Sequence, residues 1–251
     1  MNYPSPQSKF LIVFYMSESF LPTPENWQKI TLEADREADF IVKVESGGTP
    51  STSVDEYWDG NVPWLTPKEI TSFTDAIYVS RTERNITEEG LQGSAAKLMP
   101  VGTVMLSKRA PVGSVAINAI PMATNQGFLN FVCGSKLRPL YLAYWFRANR
   151  PYLDAVANGS TYPELYKGDL FEFEIAVPPI EVQDKILSVI SSLQFVSLLG
   201  GALEQSATNP DDVVLIQEQD LKLLRIRDAL IIELLSGKIT PSFRLENNAR
   251  R

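Results

Sequence analysis

Three features of the chain predict an α+β fold. Residues 103–132 (TVMLSKRAPVGSVAINAIPMATNQGFLNFV) alternate short β-branched or apolar runs with Pro and Gly breaks, which is the pattern of strands and turns. Residues Pro139–Asn158 then read as a helix, with Leu142, Trp145 and Phe146 repeating at i, i+3 and i+4. Beyond Pro179 the strand pattern gives way to two amphipathic helical stretches. On this reading the chain has an N-terminal arm over 1–21, one globular domain of mixed strands and short helices over 22–178, a helical coiled-coil and dimerisation region over 179–238, and a tail over 239–251.

The arm holds FLIVFYM (Phe10–Met16), read as a strand or a loosely attached segment. Its seven residues fall far short of the roughly 20 needed to cross a bilayer. Only Lys9 precedes it, a poor match to a secretion signal, so a cytoplasmic protein with no membrane contact is expected. The next distinctive stretch is GGTPSTSVDEYWDGNVPWLTPKEI (Gly47–Ile70), a loop crowded with glycines, hydroxyls, prolines and two tryptophans. Trp58 and Trp64 read either as core aromatics or as stacking platforms. After the 139–158 helix, DLFEFEIAVPP (Asp169–Pro179) reads as a final strand closed by two prolines.

In the helical region, Val182, Ile186, Val189, Ile190 and Leu193 share one face, and Gly200–Gly201 stop the helix. A second helix opens with Asn209 as N-cap and Pro210 at the first position, with Asp211 and Asp212 complementing the dipole. It runs to Ser236, and Gly237 ends it. Its apolar residues form two adjacent stripes, too wide for one partner helix. The helix is therefore expected to contact both its own chain and a second copy through Ile216, Leu223, Leu224, Leu230, Ile231 and Leu234; packing wholly within the chain is the other reading.

Composition excludes several chemistries. There is no histidine and a single cysteine, Cys133. Intrachain disulfides, the usual zinc sites and Ser–His or Cys–His nucleophile pairs are therefore ruled out. Neither GxGxxG nor GxxxxGK[ST] occurs, so no cofactor and no metal is expected. A nuclease could be drawn on Pro210–Asp211 and Asp220–Leu221–Lys222, but these residues lie on one helix, whereas that chemistry needs carboxylates converging on a metal. Net charge is −7, yet residues 90–168 carry eight basic and two acidic residues, a local excess of +6 that suggests an anion-binding face or a chance cluster on a solvated surface. Within it, Lys108–Arg109 sits in a turn and Asn125–Gln126 precedes Gly127; amides of this kind can read adenine edges. GSTYPELYK (Gly159–Lys167) adds hydroxyls, tyrosines and a lysine. Lys108, Arg109 and Lys167 are the phosphate candidates, and Asn125, Gln126, Thr161 and Tyr162 the polar ones for base edges or their loops. Each has a structural reading beside the functional one, with Asn125 capping a turn and Tyr162 packing.

Taken together, GGTPSTSVDEYWDGNVPWLTPKEI, ITEEGLQGSAAKLMPVGTVMLSKRAPVGSVAI, TNQGFLNFV, NGSTYPEL, VPPIEVQDKI and RDALIIELLSGKI resemble the specificity subunit of type I restriction–modification systems, over roughly Trp27–Ile239. The resemblance implies a non-catalytic DNA-recognition subunit whose partners are double-stranded DNA, methyltransferase (modification) subunits and a restriction subunit. It also makes Gly47–Ile70 the opening of a target recognition domain, adding Thr49, Ser51 and Lys68 to the DNA-binding candidates. Family members carry two recognition domains and this chain has one, so a homodimer of half-subunits reading a bipartite palindrome is expected. Val182, where many relatives have Glu, and the Gly200–Pro210 interruption depart from the family pattern. Asp212–Ser236 would span roughly 37 Å at about 1.5 Å per residue, close to one DNA turn. A truncated regulatory fragment that binds partners without reading DNA is the alternative.

Overall fold

The computed structural model describes residues 25–72, 77–157, 164–192, 228–235 and 237. Its largest sheet has the order β2 (Ile41–Ser46), β9 (Phe128–Cys133), β6 (Val104–Ser107), β7 (Val115–Asn118), β4 (Tyr78–Val79). Every residue of β6 and β7 is buried, which explains why both read as apolar runs without a solvent-facing alternate. β6 is antiparallel to both neighbours, with Val104 opposite Ile117 on one side and Phe131 on the other. A second sheet joins β5 (Arg84–Ile86), β3 (Trp58–Leu65) and β8 (Ala123–Thr124). β3 loses register between Trp58 and Val62, where Asp59 takes a left-handed φ of 59°. A two-stranded sheet pairs β1 (Gln28–Thr31) with β10 (Glu174–Val177), tying the beginning of the domain to its end.

The helices show their capping chemistry. α1 (Pro67–Ser72) is opened by Thr66, whose N–H and Oγ1 both donate to Glu69 Oε2 at 2.8 and 2.7 Å. This Thr-x-x-Glu arrangement, with proline at the first turn, forms the half of a capping box in which the glutamate reaches back to the N-cap N–H; the threonine hydroxyl donates to the same carboxylate. Glu69 is buried and also accepts Glu83 N–H at 2.7 Å, so one carboxylate joins the helix to the loop before β5. α2 (Glu88–Gln92) has Thr87 as its cap, Oγ1 accepting Gly90 N–H at 3.0 Å.

Three sequence expectations about elements are corrected. Gly47–Ile70 is a loop only in its first part: β3 (Trp58–Leu65) and the start of α1 lie within it, because its apolar residues from Trp58 onward pair into the second sheet. The 139–158 helix is two helices, α3 (Pro139–Ala148) and α4 (Arg150–Val156), broken at Asn149. Pro151 has no N–H and its ring crowds the carbonyl four residues back, so one continuous helix is not available; Asn149 Nδ2 instead donates to Trp145 O at 2.8 Å. The 169–179 strand is shorter, because α5 (Lys167–Phe171) precedes it and a turn from Phe173 N–H to Leu170 O separates it from β10.

α3 lies on β6 and β7 and is buried at every position from Tyr141 to Phe146, wider than its predicted stripe. Residues 180–192 are helical, as are 228–235. Ile186 and Ile190 from the first segment, and Ile231, Leu234 and Leu235 from the second, belong to the same apolar core as α3, β6 and β10. Ile231 and Leu234, assigned above to a second copy, are thus 9% and 2% exposed within their own chain; Leu230 is half-buried and Ile232 is exposed. Ile216, Leu223 and Leu224 lie outside the described residues, as do Phe10–Met16, Gly200–Gly201 and Asn209–Pro210. Among the described residues no helix is long and apolar enough to cross a membrane.

Candidate nucleic-acid interface

The Gly47–Ser53 segment is held by the two tryptophans below it. Trp64 Nε1 donates to Gly48 O at 2.9 Å, and Trp58 Nε1 donates to Ser51 O at 3.1 Å. The rings meet edge to face at 5.2 Å and are 9% and 4% exposed, with the Arg84 guanidinium 3.7 Å from the Trp58 centroid. Both indoles are therefore core residues, and their N–H groups satisfy loop carbonyls, as buried indoles require. Glycine is needed at the entry for space: a Cβ on Gly47 would overlap the Asn125 carbonyl oxygen, and one on Gly48 the Ala95 carbonyl carbon. Gly48 N–H donates to Thr124 O at 2.9 Å, so the backbone threads between 95–96 and 124–125.

This threading brings separate sequence candidates together. Thr49 Oγ1 donates to Gln126 Oε1. Asn125 Oδ1 accepts Gly127 N–H at 2.9 Å, so Asn125 does shape a turn. Lys108 N–H donates to Gly127 O at 2.8 Å. Pro67 packs close to Gly127, which places the exposed Lys68 at the same edge. Ser51 is exposed and its hydroxyl bonds that of Ser53 at 2.9 Å. The loops bearing Thr49, Gln126 and Lys108 are thus one hydrogen-bonded unit.

The Lys108–Gly113 loop is closed by the buried Ser107, whose Oγ donates to Pro111 O at 2.5 Å and accepts Ser114 N–H at 3.0 Å. Gly113 carries φ 75° and its N–H donates to Ser107 O at 2.9 Å; the left-handed turn there favours glycine. Lys108 Nζ lies 3.0 Å from Glu164 Oε1, and Arg109 Nε 3.1 Å from Glu164 Oε2. Burial alone would raise the Glu164 carboxyl, but the hydrogen bonds and charges of Lys108 and Arg109 outweigh it and hold it below its usual 4.5. Leu165 N–H donates to Lys108 O at 2.8 Å, fastening this strand of chain to the loop. Lys167 stands at the edge of β2, its ammonium donating to Val44 O at 3.4 Å and lying 5.3 Å from the Phe171 centroid. Thr161 and Tyr162 lie outside the described residues.

Four of the eight basic residues of 90–168 are paired with acids in the fold. Lys97 pairs with Glu45, Arg138 with Asp184, and Lys108 and Arg109 with Glu164. Glu45 and Asp184 come from the flanking thirds, which a count along the chain does not reveal. Among the described residues no group of His, Cys, Asp and Glu could hold a metal ion. Burial pushes the Cys133 thiol up to about 12, which leaves no thiolate nucleophile near neutral pH.

Sequence reasoning missed the residue that seats the 180–192 helix. Gln183 is fully buried; its Oε1 accepts Arg138 N–H at 2.8 Å, and its Nε2 donates to Lys136 O at 2.9 Å and Pro178 O at 2.8 Å. Beside it Arg138 forks onto both oxygens of Asp184 at 2.7 and 2.8 Å. The only sequence signal was its place in VPPIEVQDKI.

Residues 24–200 match the family model described as the type I restriction modification DNA specificity domain. The chain is 39% identical over 189 residues to the type I restriction enzyme MjaIX specificity subunit of Methanocaldococcus jannaschii, an alignment covering 72% of this chain and 42% of that protein. It is 27% identical over 157 residues to the EcoR124I/EcoR124II specificity subunit of Escherichia coli, covering 60% of this chain and 38% of that one. Among solved structures, the HsdS subunit from Thermoanaerobacter tengcongensis shares the fold with a TM-score of 0.54 at 18% identity, covering 93% of this chain and 52% of that chain. A chain from a study of complex assembly in the type I R-M system gives 0.57 at 20%, covering 93% and 53%. This chain therefore spans about half the length of the proteins it matches or less. With a specificity-domain match over most of its length and a relative at 39% identity, the chain belongs to the type I restriction–modification specificity-subunit family.

Proposed function

We propose that this chain is the DNA sequence-recognition subunit of a type I restriction–modification complex, working in the cytoplasm as a homodimer of half-subunits. The observation that carries the reading is one juxtaposition: in a specificity domain, the loops of Thr49, Gln126 and Lys108 are bonded into a single unit through Gly127. Such a unit can contact a duplex with several residues at once. Lys108, Arg109, Lys68 and Lys167 are the phosphate contacts, which position the protein. Thr49, Ser51, Asn125 and Gln126, with Thr161 and Tyr162, supply polar groups toward base edges. With Oε1 engaged by Thr49, the exposed Gln126 amide offers Nε2 to a base acceptor.

The chain performs no bond chemistry on this reading. Adenine methylation comes from methyltransferase subunits and cleavage from a restriction subunit, both recruited by the protein. Pairing through Ile216, Leu223, Leu224 and Leu230 would set two recognition domains about one helical turn apart, with Ile231 and Leu234 holding the tail helix to its own domain. The test is selection from a randomised duplex pool by the purified chain, alone and with its modification subunit. Enrichment of one two-part motif with fixed spacing is expected. Recovery of no motif under either condition overturns the reading, and metal-dependent cleavage by the chain alone would replace it with an enzyme.

A further inference from the structure

We propose that Glu164 is a resident counter-ion that holds down DNA affinity, occupying in the free protein the position a DNA phosphate takes between Lys108 and Arg109. The inference rests on the DNA-recognition reading above and adds a residue that opposes binding. One carboxylate spans two successive cations, each oxygen taking one: Lys108 Nζ at 3.0 Å and Arg109 Nε at 3.1 Å. A phosphodiester presents two equivalent oxygens in the same way and can replace the carboxylate contact for contact.

The geometry also shows that Glu164 is held in place by more than its charge. Its backbone forms an isolated bridge with Arg109, and Leu165 N–H is bonded to Lys108 O. The carboxylate is thus delivered by the fold to the cations of the neighbouring loop. All three side chains retain some access to solvent, at 18% for Lys108, 48% for Arg109 and 20% for Glu164, so an incoming anion can reach them.

The consequence follows from how DNA affinity divides. Sequence-independent binding grows with the number of phosphates neutralised, whereas base contacts do not. A built-in carboxylate that neutralises part of the Lys108–Arg109 pair lowers affinity for every duplex. Target and random duplex lose the same factor, because the phosphate contact is common to both. Glu164 therefore holds down affinity for all duplexes and leaves the ratio between the two unchanged.

The test uses the full chain, with the modification subunit wherever the wild type needs it, and measures Kd for the selected target and a scrambled duplex across a salt series. E164Q keeps the shape and an acceptor but removes the charge. It should bind target and scrambled duplex more tightly by the same several-fold factor, and steepen the slope of log K against log salt by about one. E164D, which keeps the charge, should restore both affinities toward wild type, and adding K108Q to E164Q should cancel the gain. Weaker binding by E164Q to both duplexes would mean that the carboxylate orients the cations for DNA, and an unchanged slope would mean that they never meet phosphate; either result overturns the inference. A wild type that selects no motif overturns the DNA-recognition reading instead, whereas a selective wild type with an unaltered E164Q overturns only the role of Glu164.

Discussion

Two polar ties hold distant parts of this chain together, and they differ in where their strength lies. At the junction with the 180–192 helix, the ion pair of Arg138 and Asp184 is about half exposed, while the neutral Gln183 beside it is sealed from water and bonded to three backbone groups. At the loop face, the Glu164 carboxylate is itself the tie, gripping two cations with part of its surface in solvent. The first is a permanent joint, because each buried partner would be left unsatisfied if the amide were removed. The second is exchangeable, because another anion can satisfy its cations equally well. Charge alone does not tell the two apart; burial and the supply of substitute partners do.

Substitutions should reproduce that order. The largest effect is expected at Gln183: leucine keeps the volume but strands the Arg138 N–H and the Lys136 and Pro178 carbonyls, lowering unfolding free energy by about 2–4 kcal/mol in urea titration. Next comes Gly48→Ala, whose added methyl collides with backbone at 95–96 and should remove about 2 kcal/mol while loosening the Thr49–Gln126 contact; both unfolding and DNA affinity should fall. A third effect concerns acid. The Glu164 carboxyl is held below 4.5 when folded, so its stabilisation is fully present above that value and lost as pH falls through the lowered one. E164Q should flatten this part of the pH–stability profile, a change of about 1 kcal/mol visible in melts between pH 5 and 3. The smallest effect belongs to Arg138→Ala or Asp184→Ala, below about 1 kcal/mol and shrinking further with added salt. A D184A loss larger than that of Q183L would reverse the comparison and make the ion pair the true joint.

Much of this was readable in the residues. The strands within 103–132 follow from β-branched runs between Pro and Gly, and the Gly47–Ser53 segment announces a special local geometry by composition. What escaped has physical causes. Pro151 was visible, but the i, i+3, i+4 pattern around it outweighed the break it imposes at Asn149. Phe171, Phe173, Ile175 and Val177 alternate like a strand, so the short turn of α5 was hidden. Two of the three backbone groups that Gln183 bonds lie 45 and 47 residues away in sequence, and no local pattern marks such partners. Glu164 was overlooked because counting charge by thirds treats an acid as subtraction, whereas its effect depends on which cations it touches.

The apolar core that α3 and β10 share with residues 186, 190, 231, 234 and 235 has a mechanical consequence. Through these residues the 180–192 and 228–235 helical segments share one apolar core with the sheet. A torque applied to these helices is transmitted to the body they pack on, so the domain would turn with them as a lever. A partner that gripped these helical segments could thereby swing the loops of Thr49 and Lys108 toward or away from a duplex.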